Sequence, residues 1–328
     1  MNTIRKVGVI GAGVMGAGIA AQIANAGVPV LLLDIVPEGT KNRNALAAGA
    51  VDRLLKADPP AFMSKRAARL VETGNVDDDL GRLAECDWII EAILERLDAK
   101  QALYRRIDAV RRAGTAVSSN TSTIPLRTLT QDMPEGFKRD FLITHFFNPP
   151  RYMRLLEIAT GPETDPGLFE AIRDFADIAL GKSVVRCKDT PGFIANRIGT
   201  VWLQLGVVEA IEAELEVETA DAVVGRPMGV PETGIFGLLD LVGLDLMPHV
   251  NASMARALPK GDLFHAVNRD VPLIARMLSE GRTGRKGKGG FYRQIRSGEA
   301  RVKEAIDLAT GSYRPARKAD LPELEAAG

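Results

Sequence analysis

The sequence predicts an α/β protein with a doubly wound, mostly parallel sheet, followed by an all-helical second domain. A glycine-rich apolar segment near the start of the chain has the pattern of strand, helix and strand. Strand and helix patterns then alternate as far as about residue 189. Such alternation is typical of parallel sheets covered by helices on both faces. After Thr190 and Pro191 the patterns are helical, which predicts the second domain.

Apolar periodicity and turn residues predict the individual elements. Helices are expected near 41–56, 97–112, 166–180 and 193–212, and strands at DWIIEAI, TAVSSN, FLITHFF, RLLEIA and SVVRC. We expect a first domain at 1–189, a helical domain at 190–293, and a tail or linker at 294–328. The last segment has few large apolar side chains, which favours a tether or surface arm. A short docking helix at 302–308 is the alternative.

The segment 7–33 contains no charged residue and is long enough for a membrane helix. Six glycines between Gly8 and Gly27, followed by Pro29, interrupt it and predict a strand, a helix and a second strand instead. The residues MNTIRK lead directly into the first strand, so we expect no signal peptide.

This segment also carries the spacing GxGxxG at the point where the strand meets the helix. Gly11 permits a tight turn, Gly13 lets the backbone approach a pyrophosphate, and Gly16 lets the helix and strand pack closely. The context is that of a Rossmann-like dinucleotide site, although an ordinary glycine turn is the alternative. The predicted cofactor contacts of this segment are Gly11, Gly13, Val14, Met15, Gly16 and Asp34.

Asp34 closes the second strand and should accept hydrogen bonds from the ribose hydroxyls of adenosine. Its negative charge would repel a 2′-phosphate, and no arginine follows it in DIVPEG. The cofactor is therefore predicted to be NAD, not NADP.

Charge and cysteine content narrow the partners and the compartment. Lys and Arg total 42, as do Asp and Glu, so no overall field attracts nucleic acid or an anionic membrane. Cys86 and Cys187 have neither metal-ligand spacing nor the pattern of a disulfide framework. We therefore expect no nucleic acid, membrane or metal partner, and the cytoplasm as the compartment.

His145 is one of only three histidines and ends the apolar run FLITHFF. A packed core histidine with its nitrogens satisfied by backbone groups is the ordinary explanation. However, Asn120, Thr121 and Ser122 follow another predicted strand. Because ligands bind outside the carboxyl ends of such strands, these residues and His145 are expected to face one crevice.

Six ordered motifs between about Lys6 and Tyr292 resemble those of the L-3-hydroxyacyl-CoA dehydrogenases of fatty-acid β-oxidation. The motifs are GAGVMGAGIA, SSNTSTIP, HFFNPPRYMRLLEI, KDTPGFIANRI, LLDLVGLD and GRKGKGGFY. The resemblance implies oxidation of L-3-hydroxyacyl-CoA to 3-oxoacyl-CoA with NAD. It also implies a homodimer formed through the helical domain, for which the apolar stretch IFGLLDLVGLDLM would supply the surface.

By this resemblance His145 is the general base and Glu157, on the neighbouring predicted strand, orients it. Ser122 and Asn196 match polar residues that hold the substrate and complete the implied catalytic set. The remaining implied cofactor contacts are Glu95, Lys100, Asn120, Ser122 and Asn148.

Each of these residues also has a structural explanation. Glu157 fits a solvated strand end, Ser122 fits a turn serine bonded to its own backbone, and Asn196 fits a helix-surface amide. Glu95 and Lys100 fit a surface ion pair on the helix that follows WIIEAIL.

Two segments depart from the simplest family members. The stretch LKADPPAFMSKRAARLVETGNVDDDL is longer and lies where the family contacts coenzyme A. Lys56, Lys65 and Arg66 are its candidate phosphate partners, with a solvated basic helix face as the alternative. The stretch RPMGVPETGIFGLLDLVGLD resembles fused multifunctional forms, so we expect an enoyl-CoA hydratase module beyond Gly328.

Two other functions remain open at this point. One is a dehydrogenase of free 3-hydroxy acids or sugar acids on the same scaffold. The other is a non-catalytic NAD-binding structural protein, which would not need a His145 and Glu157 pair. The sequence does not determine acyl-chain length, because pocket depth depends on packing.

Overall fold

A computed structural model describes residues 4–230, 233–297 and 300–322. The chain divides into two compact units, Met1–Phe193 and Ile194–Gly328. Each unit has a hydrophobic core of its own.

The first unit is built on one eight-stranded sheet. Its strands are β1 (Val7–Ile10), β2 (Val30–Asp34), β3 (Val71–Asn75), β4 (Trp88–Glu91), β5 (Ala116–Ser119), β6 (Phe141–Phe146), β7 (Leu155–Thr160) and β8 (Ser183–Cys187). They lie in the order β3-β2-β1-β4-β5-β6-β7-β8, and all neighbouring strands are parallel except β6 and β7. The order reverses between β1 and β4, which is where Rossmann-type sheets bind their ligands.

Helices cover both faces of this sheet. They are α1 (Val14–Asn25), α2 (Ala45–Leu55), α3 (Lys65–Ala68), α4 (Leu97–Val110), α5 (Leu126–Thr130), α6 (Glu135–Arg139) and α7 (Pro166–Asp174). A 3₁₀ helix at Leu80–Glu85 precedes β4, and a π-helical turn at Phe175–Ala179 extends α7. Successive residues of β1 point to opposite faces, so Val9 packs into one core cluster and Ile10 into the other. The predicted doubly wound, mostly parallel sheet is therefore confirmed.

The uncharged segment 7–33 forms β1, α1 and β2, as its glycines predicted. None of the helices in the described ranges is long and apolar enough to cross a membrane. The helix expected at 41–56 begins later, at Ala45. Thr40 Oγ1 donates to the Asn42 carbonyl at 3.0 Å and Asn44 N donates to Asn42 Oδ1 at 3.0 Å. Such local bonds favour a turn over helix.

The second unit is helical as far as residue 279 and then forms a small antiparallel sheet. Its helices are α8 (Ala195–Glu212), α9 (Val217–Val223), α10 (Phe236–Val242), α11 (Leu246–Ala257), α12 (Leu263–Val267) and α13 (Pro272–Ser279), with a 3₁₀ turn at Arg226–Met228. Its strands are β9 (Tyr292–Ser297), β10 (Ala300–Ile306) and β11 (Tyr313–Pro315), in the order β11-β10-β9. The sheet is an addition to the helical domain that the sequence predicted.

The interpretation of segment 294–328 as a tether or surface arm is wrong for its described residues, and so is a docking helix at 302–308. Most of 302–308 lies in β10, which pairs with β9 in antiparallel register. Ala305, Ile306 and Leu308 are buried in the core of the second unit. Arg314 also forms two hydrogen bonds to Glu218, at 2.8 and 2.9 Å. Successive strand residues point to opposite faces, and Ala305 and Ile306 are both fully buried, so the few apolar residues are enough because both faces of this end of β10 are covered. Residues 298–299 and 323–328 lie outside the described ranges.

Candidate functional site

The glycine turn between β1 and α1 has the backbone that its spacing predicted. Gly11 has φ +102°, and a Cβ there would lie 2.5 Å from the Ala92 carbonyl oxygen. A Cβ at Gly16 would lie 1.8 Å from the Gly11 carbonyl oxygen, so helix and turn are in close contact. At Gly13 a Cβ would meet nothing within 4 Å. The turn is tight on its inner side and open at Gly13, in front of the first residues of α1. This geometry fits a pyrophosphate bound at a helix N-terminus.

The Asp34 carboxylate lies beside this turn, at the end of β2. Its Oδ2 accepts a hydrogen bond from Ala12 N at 2.5 Å, and its Oδ1 accepts one from Ile35 N at 2.6 Å. These bonds hold the carboxylate against the turn, and no cationic side chain of the described residues pairs with it. Its negative charge therefore acts on whatever approaches the turn.

A buried His–Glu pair joins β6 and β7. The two strands are antiparallel, and His145 lies directly opposite Glu157. His145 Nδ1 and Glu157 Oε2 are 2.8 Å apart, and the two side chains are only 7% and 1% exposed. The solvated strand-end alternative for Glu157 is therefore wrong. Phe147 and Phe193 contact the imidazole, with ring centroids 4.6 and 5.5 Å away.

This histidine is not a core histidine satisfied by backbone groups. Its Nδ1 is bonded to a carboxylate, and Nε2 has no hydrogen-bond partner in the described part of the chain. A carboxylate on Nδ1 fixes the proton on that nitrogen in the neutral ring and leaves Nε2 with its lone pair. The pair can therefore take a proton at Nε2 and stabilise the imidazolium that results.

The loop after β5 lies at the same edge of the sheet. Asn120 Oδ1 accepts a hydrogen bond from Phe146 N at 2.9 Å, which ties the end of β5 to the end of β6. Asn120, Ser122 and His145 therefore lie at one edge, as predicted. The Ser122 hydroxyl forms no hydrogen bond within the described ranges. The alternative explanation, a turn serine whose side chain bonds its own backbone, is therefore wrong for Ser122.

Glu95 holds this loop. Its Oε1 accepts hydrogen bonds from Thr121 Oγ1 at 2.5 Å, from Ser122 N at 3.1 Å and from Thr123 N at 3.2 Å. Burial alone would raise the pKa of Glu95, but the Lys100 ammonium and these hydrogen bonds hold that pKa below its ordinary value. Glu95 is therefore an ionised cap for the loop that carries Ser122.

Lys100 is not part of a surface pair, because its side chain is only 1% exposed. Its Nζ lies 2.6 Å from Glu91 Oε1 and 3.3 Å from Glu95 Oε2. Glu91, which ends β4, was not among the residues predicted from the sequence. The available signal was a carboxylate at the end of the apolar strand DWIIEAI, at the edge where ligands bind.

Asn148 and Asn196 are the remaining predicted residues of the site. Asn148 is exposed in the loop after β6. Lys182 secures that loop, because its Nζ donates to the Pro150 carbonyl and, at 2.8 Å, to the Met153 carbonyl. Burial lowers the pKa of Lys182 to about 8. Asn196 belongs to the second unit, in the first turn of α8, and its contact with substrate stays a prediction.

The basic residues predicted to meet coenzyme A are all exposed. Lys56 follows α2, and Lys65 and Arg66 begin α3. The loop between these helices is anchored, since Tyr152 Oη donates to the Pro60 carbonyl at 2.8 Å. The three cations therefore project from a fixed surface, and the structure is compatible with either interpretation of them.

The fold and the glycine turn define a Rossmann-type dinucleotide-binding protein. Residues 6–190 match the family model of the 3-hydroxyacyl-CoA dehydrogenase NAD-binding domain, and residues 192–294 match that of the C-terminal domain of the same enzymes. The chain belongs to the 3-hydroxyacyl-CoA dehydrogenase family.

Similar proteins include both longer chains and chains of comparable length. A putative fatty acid oxidation complex trifunctional enzyme of Rickettsia felis is 41% identical over 320 residues, which are 98% of this chain and 44% of that protein. A probable 3-hydroxyacyl-CoA dehydrogenase of Deinococcus radiodurans is 42% identical, over 91% of this chain and 85% of that protein. The crystal structure of M. tuberculosis FadB2 matches with a TM-score of 0.75 and 29% identity, over 90% of this chain and all of that one. The chain thus spans under half the length of the Rickettsia felis relative.

Proposed function

We propose that this chain oxidises L-3-hydroxyacyl-CoA to 3-oxoacyl-CoA with NAD, as a step of fatty-acid β-oxidation. The observation that carries the proposal is the buried His145–Glu157 pair, with Nδ1 and Oε2 2.8 Å apart. It lies in the same sheet as the glycine turn, and both family domains are matched in order. A protein that only bound NAD would have no use for a histidine held in this way.

The chemistry requires a base for the 3-hydroxyl proton. His145 Nε2 takes that proton, while Glu157 orients the ring and stabilises the imidazolium. When bound, the nicotinamide accepts the hydride from C3 of the substrate. Ser122 donates a hydrogen bond from its hydroxyl to the substrate oxygen, and Asn196 is proposed as a second polar contact of the substrate.

The NAD site comprises the glycine turn and the carboxylate beside it, together with the polar residues at the adjoining edge. Gly13 leaves the turn open towards the pyrophosphate, and Asp34 binds the adenosine ribose. Lys100 directs its ammonium at Glu91 and Glu95, and its third N–H has no partner among the described residues. The contacts proposed for NAD are Gly11, Gly13, Val14, Met15, Gly16, Asp34, Glu95, Lys100, Asn120, Ser122 and Asn148.

Acetoacetyl-CoA reduction by NADH, followed at 340 nm, tests this proposal. The same assay with free acetoacetate, which lacks the thioester and the nucleotide, tests the free-acid alternative. Turnover of the thioester alone supports the proposal. Turnover of the free acid with equal kcat/KM favours the alternative, and NADH binding without either turnover favours a structural NAD-binding protein.

Replacing Asp34 by asparagine should shift the cofactor preference towards NADP. Asparagine keeps one oxygen that can accept the hydrogen bond from Ala12 N, and it removes the charge together with the acceptor for Ile35 N. We expect the ratio of kcat/KM for NAD over NADP to fall about tenfold to hundredfold, which corresponds to roughly 1.4 to 2.7 kcal/mol. An unchanged ratio would mean that Asp34 does not face the 2′-position.

The three exposed cations should act on the nucleotide end of coenzyme A. We expect replacement of Lys56, Lys65 and Arg66 by alanine to raise KM for acetoacetyl-CoA about tenfold, because each exposed ion pair contributes roughly 0.5 kcal/mol. Acetoacetyl-pantetheine, which lacks the nucleotide phosphates, is the matched control and should show no change in KM. An equal rise for both substrates would contradict the assignment.

The proposed homodimer rests on a few exposed apolar residues. A homodimer through the helical unit is supported by Leu241, Val242 and Leu246, which are exposed apolar residues in and beside α10. Light scattering at micromolar concentration tests it, and a monomeric mass would contradict it.

We also propose that the natural polypeptide continues past Gly328 into an enoyl-CoA hydratase module. The fused Rickettsia relative, 44% of which is matched, supports this arrangement. Tethering would raise the effective concentration of the hydroxyacyl intermediate. A stop codon directly after Gly328 in the natural gene would contradict it. The cytoplasm is proposed because Cys86 and Cys187 are not joined in a disulfide.

A further inference from the structure

Glu91 is a buried carboxylate with no direct access to a substrate. It ends β4 and is fully buried. Its Oε1 accepts from Lys100 Nζ at 2.6 Å and from Ile93 N at 2.8 Å. Its Oε2 accepts from Tyr104 Oη and from Ser119 Oγ, both at 2.7 Å. Each oxygen has two donors, so the acceptor capacity of the carboxylate is filled.

The ion pair between Glu91 and Lys100 is linked to a second carboxylate, that of Glu95. The same Lys100 ammonium lies 3.3 Å from Glu95 Oε2. The other carboxylate oxygen of Glu95, Oε1, is the one that holds the loop. Glu95 Oε1 in turn holds the Thr121 hydroxyl and the amides of Ser122 and Thr123. A continuous series of ion pairs and hydrogen bonds therefore runs from Glu91 through Lys100 and Glu95 to the loop that carries Ser122.

Stability alone is a weak reason for such an arrangement. Removing an ammonium and a carboxylate from water costs several kcal/mol for each ion, and well-packed apolar residues of similar volume often stabilise a core as well. What an apolar pair cannot do is fix the position of Lys100, and through it the direction of Glu95.

We propose that Glu91 is a positioning residue for the loop 121–123. It holds Lys100 at the distance at which Glu95 caps the loop, and the capped loop presents the Ser122 hydroxyl to the substrate oxygen next to His145 Nε2. This assignment rests on the proposed dehydrogenase function for its catalytic consequence, but the geometry of the loop can be measured without activity.

The Glu91→Gln variant tests the negative charge of Glu91 separately from its shape. Its oxygen can face Lys100, and its amide can face Tyr104 and Ser119, whose hydroxyls rotate to accept. The shape and the hydrogen bonds are kept, so the fold is retained. Lys100 then loses the negative charge at its nearest partner and is drawn towards Glu95, which pulls the Glu95 carboxylate away from the amides of Ser122 and Thr123.

Amide hydrogen exchange tests the geometry independently of activity. In Glu91→Gln the amides of Ser122 and Thr123 should exchange about tenfold faster or more, because the bonds that protect them open more often. Trp88→Phe is the matched control, because Trp88 is also buried in β4 and donates only to Ser118 Oγ, at 3.0 Å. Its Ser122 and Thr123 amides should keep their protection. Unchanged exchange in Glu91→Gln would overturn the proposal.

A double-variant cycle tests the catalytic consequence. We expect kcat/KM for acetoacetyl-CoA to fall about 30-fold in Glu91→Gln and about tenfold in Thr121→Val, which removes one contact of Glu95. The combination should fall by less than about 60-fold, since both changes release the same loop. A multiplicative loss near about 300-fold would mean independent effects and would overturn the proposal.

Two further variants keep the test decisive. Tyr104→Phe removes one hydrogen bond from Glu91 and leaves the ion pair with Lys100 intact. If Glu91→Gln does not fold, Tyr104→Phe should show smaller changes of the same kind in amide exchange and in kcat/KM. His145→Ala in the same assay separates the two proposals. If the unaltered chain has no activity, the proposed function fails, while the exchange of Ser122 and Thr123 still decides the role of Glu91.

Discussion

His145→Ala should lower the turnover of acetoacetyl-CoA about 10²-fold to 10⁴-fold, the range for loss of a general acid or base. The reason is structural as well as chemical. His145 Nδ1 is bonded to Glu157 Oε2 at 2.8 Å, and Nε2 is the ring nitrogen proposed to exchange a proton with substrate. NADH binding, measured by fluorescence titration, should stay within about threefold, since binding energy and proton transfer are separable.

His145→Gln is the matched variant, because alanine removes one member of the buried His145–Glu157 pair, which is strongly destabilising. Glutamine can still donate to Glu157 but cannot take a proton at catalytic pH. Both variants should therefore lose turnover equally, and only the alanine variant should unfold at clearly lower temperature. More than a tenth of the original activity in either folded variant would remove His145 from the role of base.

Gly13→Ala and Gly16→Ala should separate cofactor binding from folding. An added Cβ at Gly13 meets nothing within 4 Å, so the fold should be unaffected, while the methyl group obstructs the approach of the pyrophosphate. An added Cβ at Gly16 would lie 1.8 Å from the Gly11 carbonyl oxygen, so the helix must move away from the turn. Overpacking of this kind typically costs about 1 to 3 kcal/mol.

For Gly13→Ala we expect NADH affinity to fall about tenfold or more with an unchanged denaturant midpoint, since a 1.4 kcal/mol loss gives a factor of ten. For Gly16→Ala we expect both the affinity and the midpoint to fall. Full NADH affinity in Gly13→Ala would mean that the pyrophosphate does not bind at this turn, and an unaltered midpoint in Gly16→Ala would mean that the turn yields easily.

Local pattern by itself determined the architecture of the first unit. The glycines of segment 7–33 impose a turn that only residues without a Cβ can adopt, so β1, α1 and β2 follow from steric rules. Strands β4 to β8 are short apolar runs between turn residues, and each was predicted within two residues of its bounds. A match of six ordered motifs indicated the family, and both family models confirm it.

Tertiary structure alone decided the environment of the charged residues. The residue types at positions 95 and 100, Glu and Lys, are compatible with a surface ion pair. Only the packing of α4 against the sheet shows that Lys100 is buried between two carboxylates. Glu91 was missed for the same reason, since burial and hydrogen-bond partners come from residues distant in sequence. The segment after Tyr292 shows the converse error. Its low apolar content indicated a tether, but pairing with β9 places Ala305, Ile306 and Leu308 in the core of the second unit, where both faces of the strand end are covered.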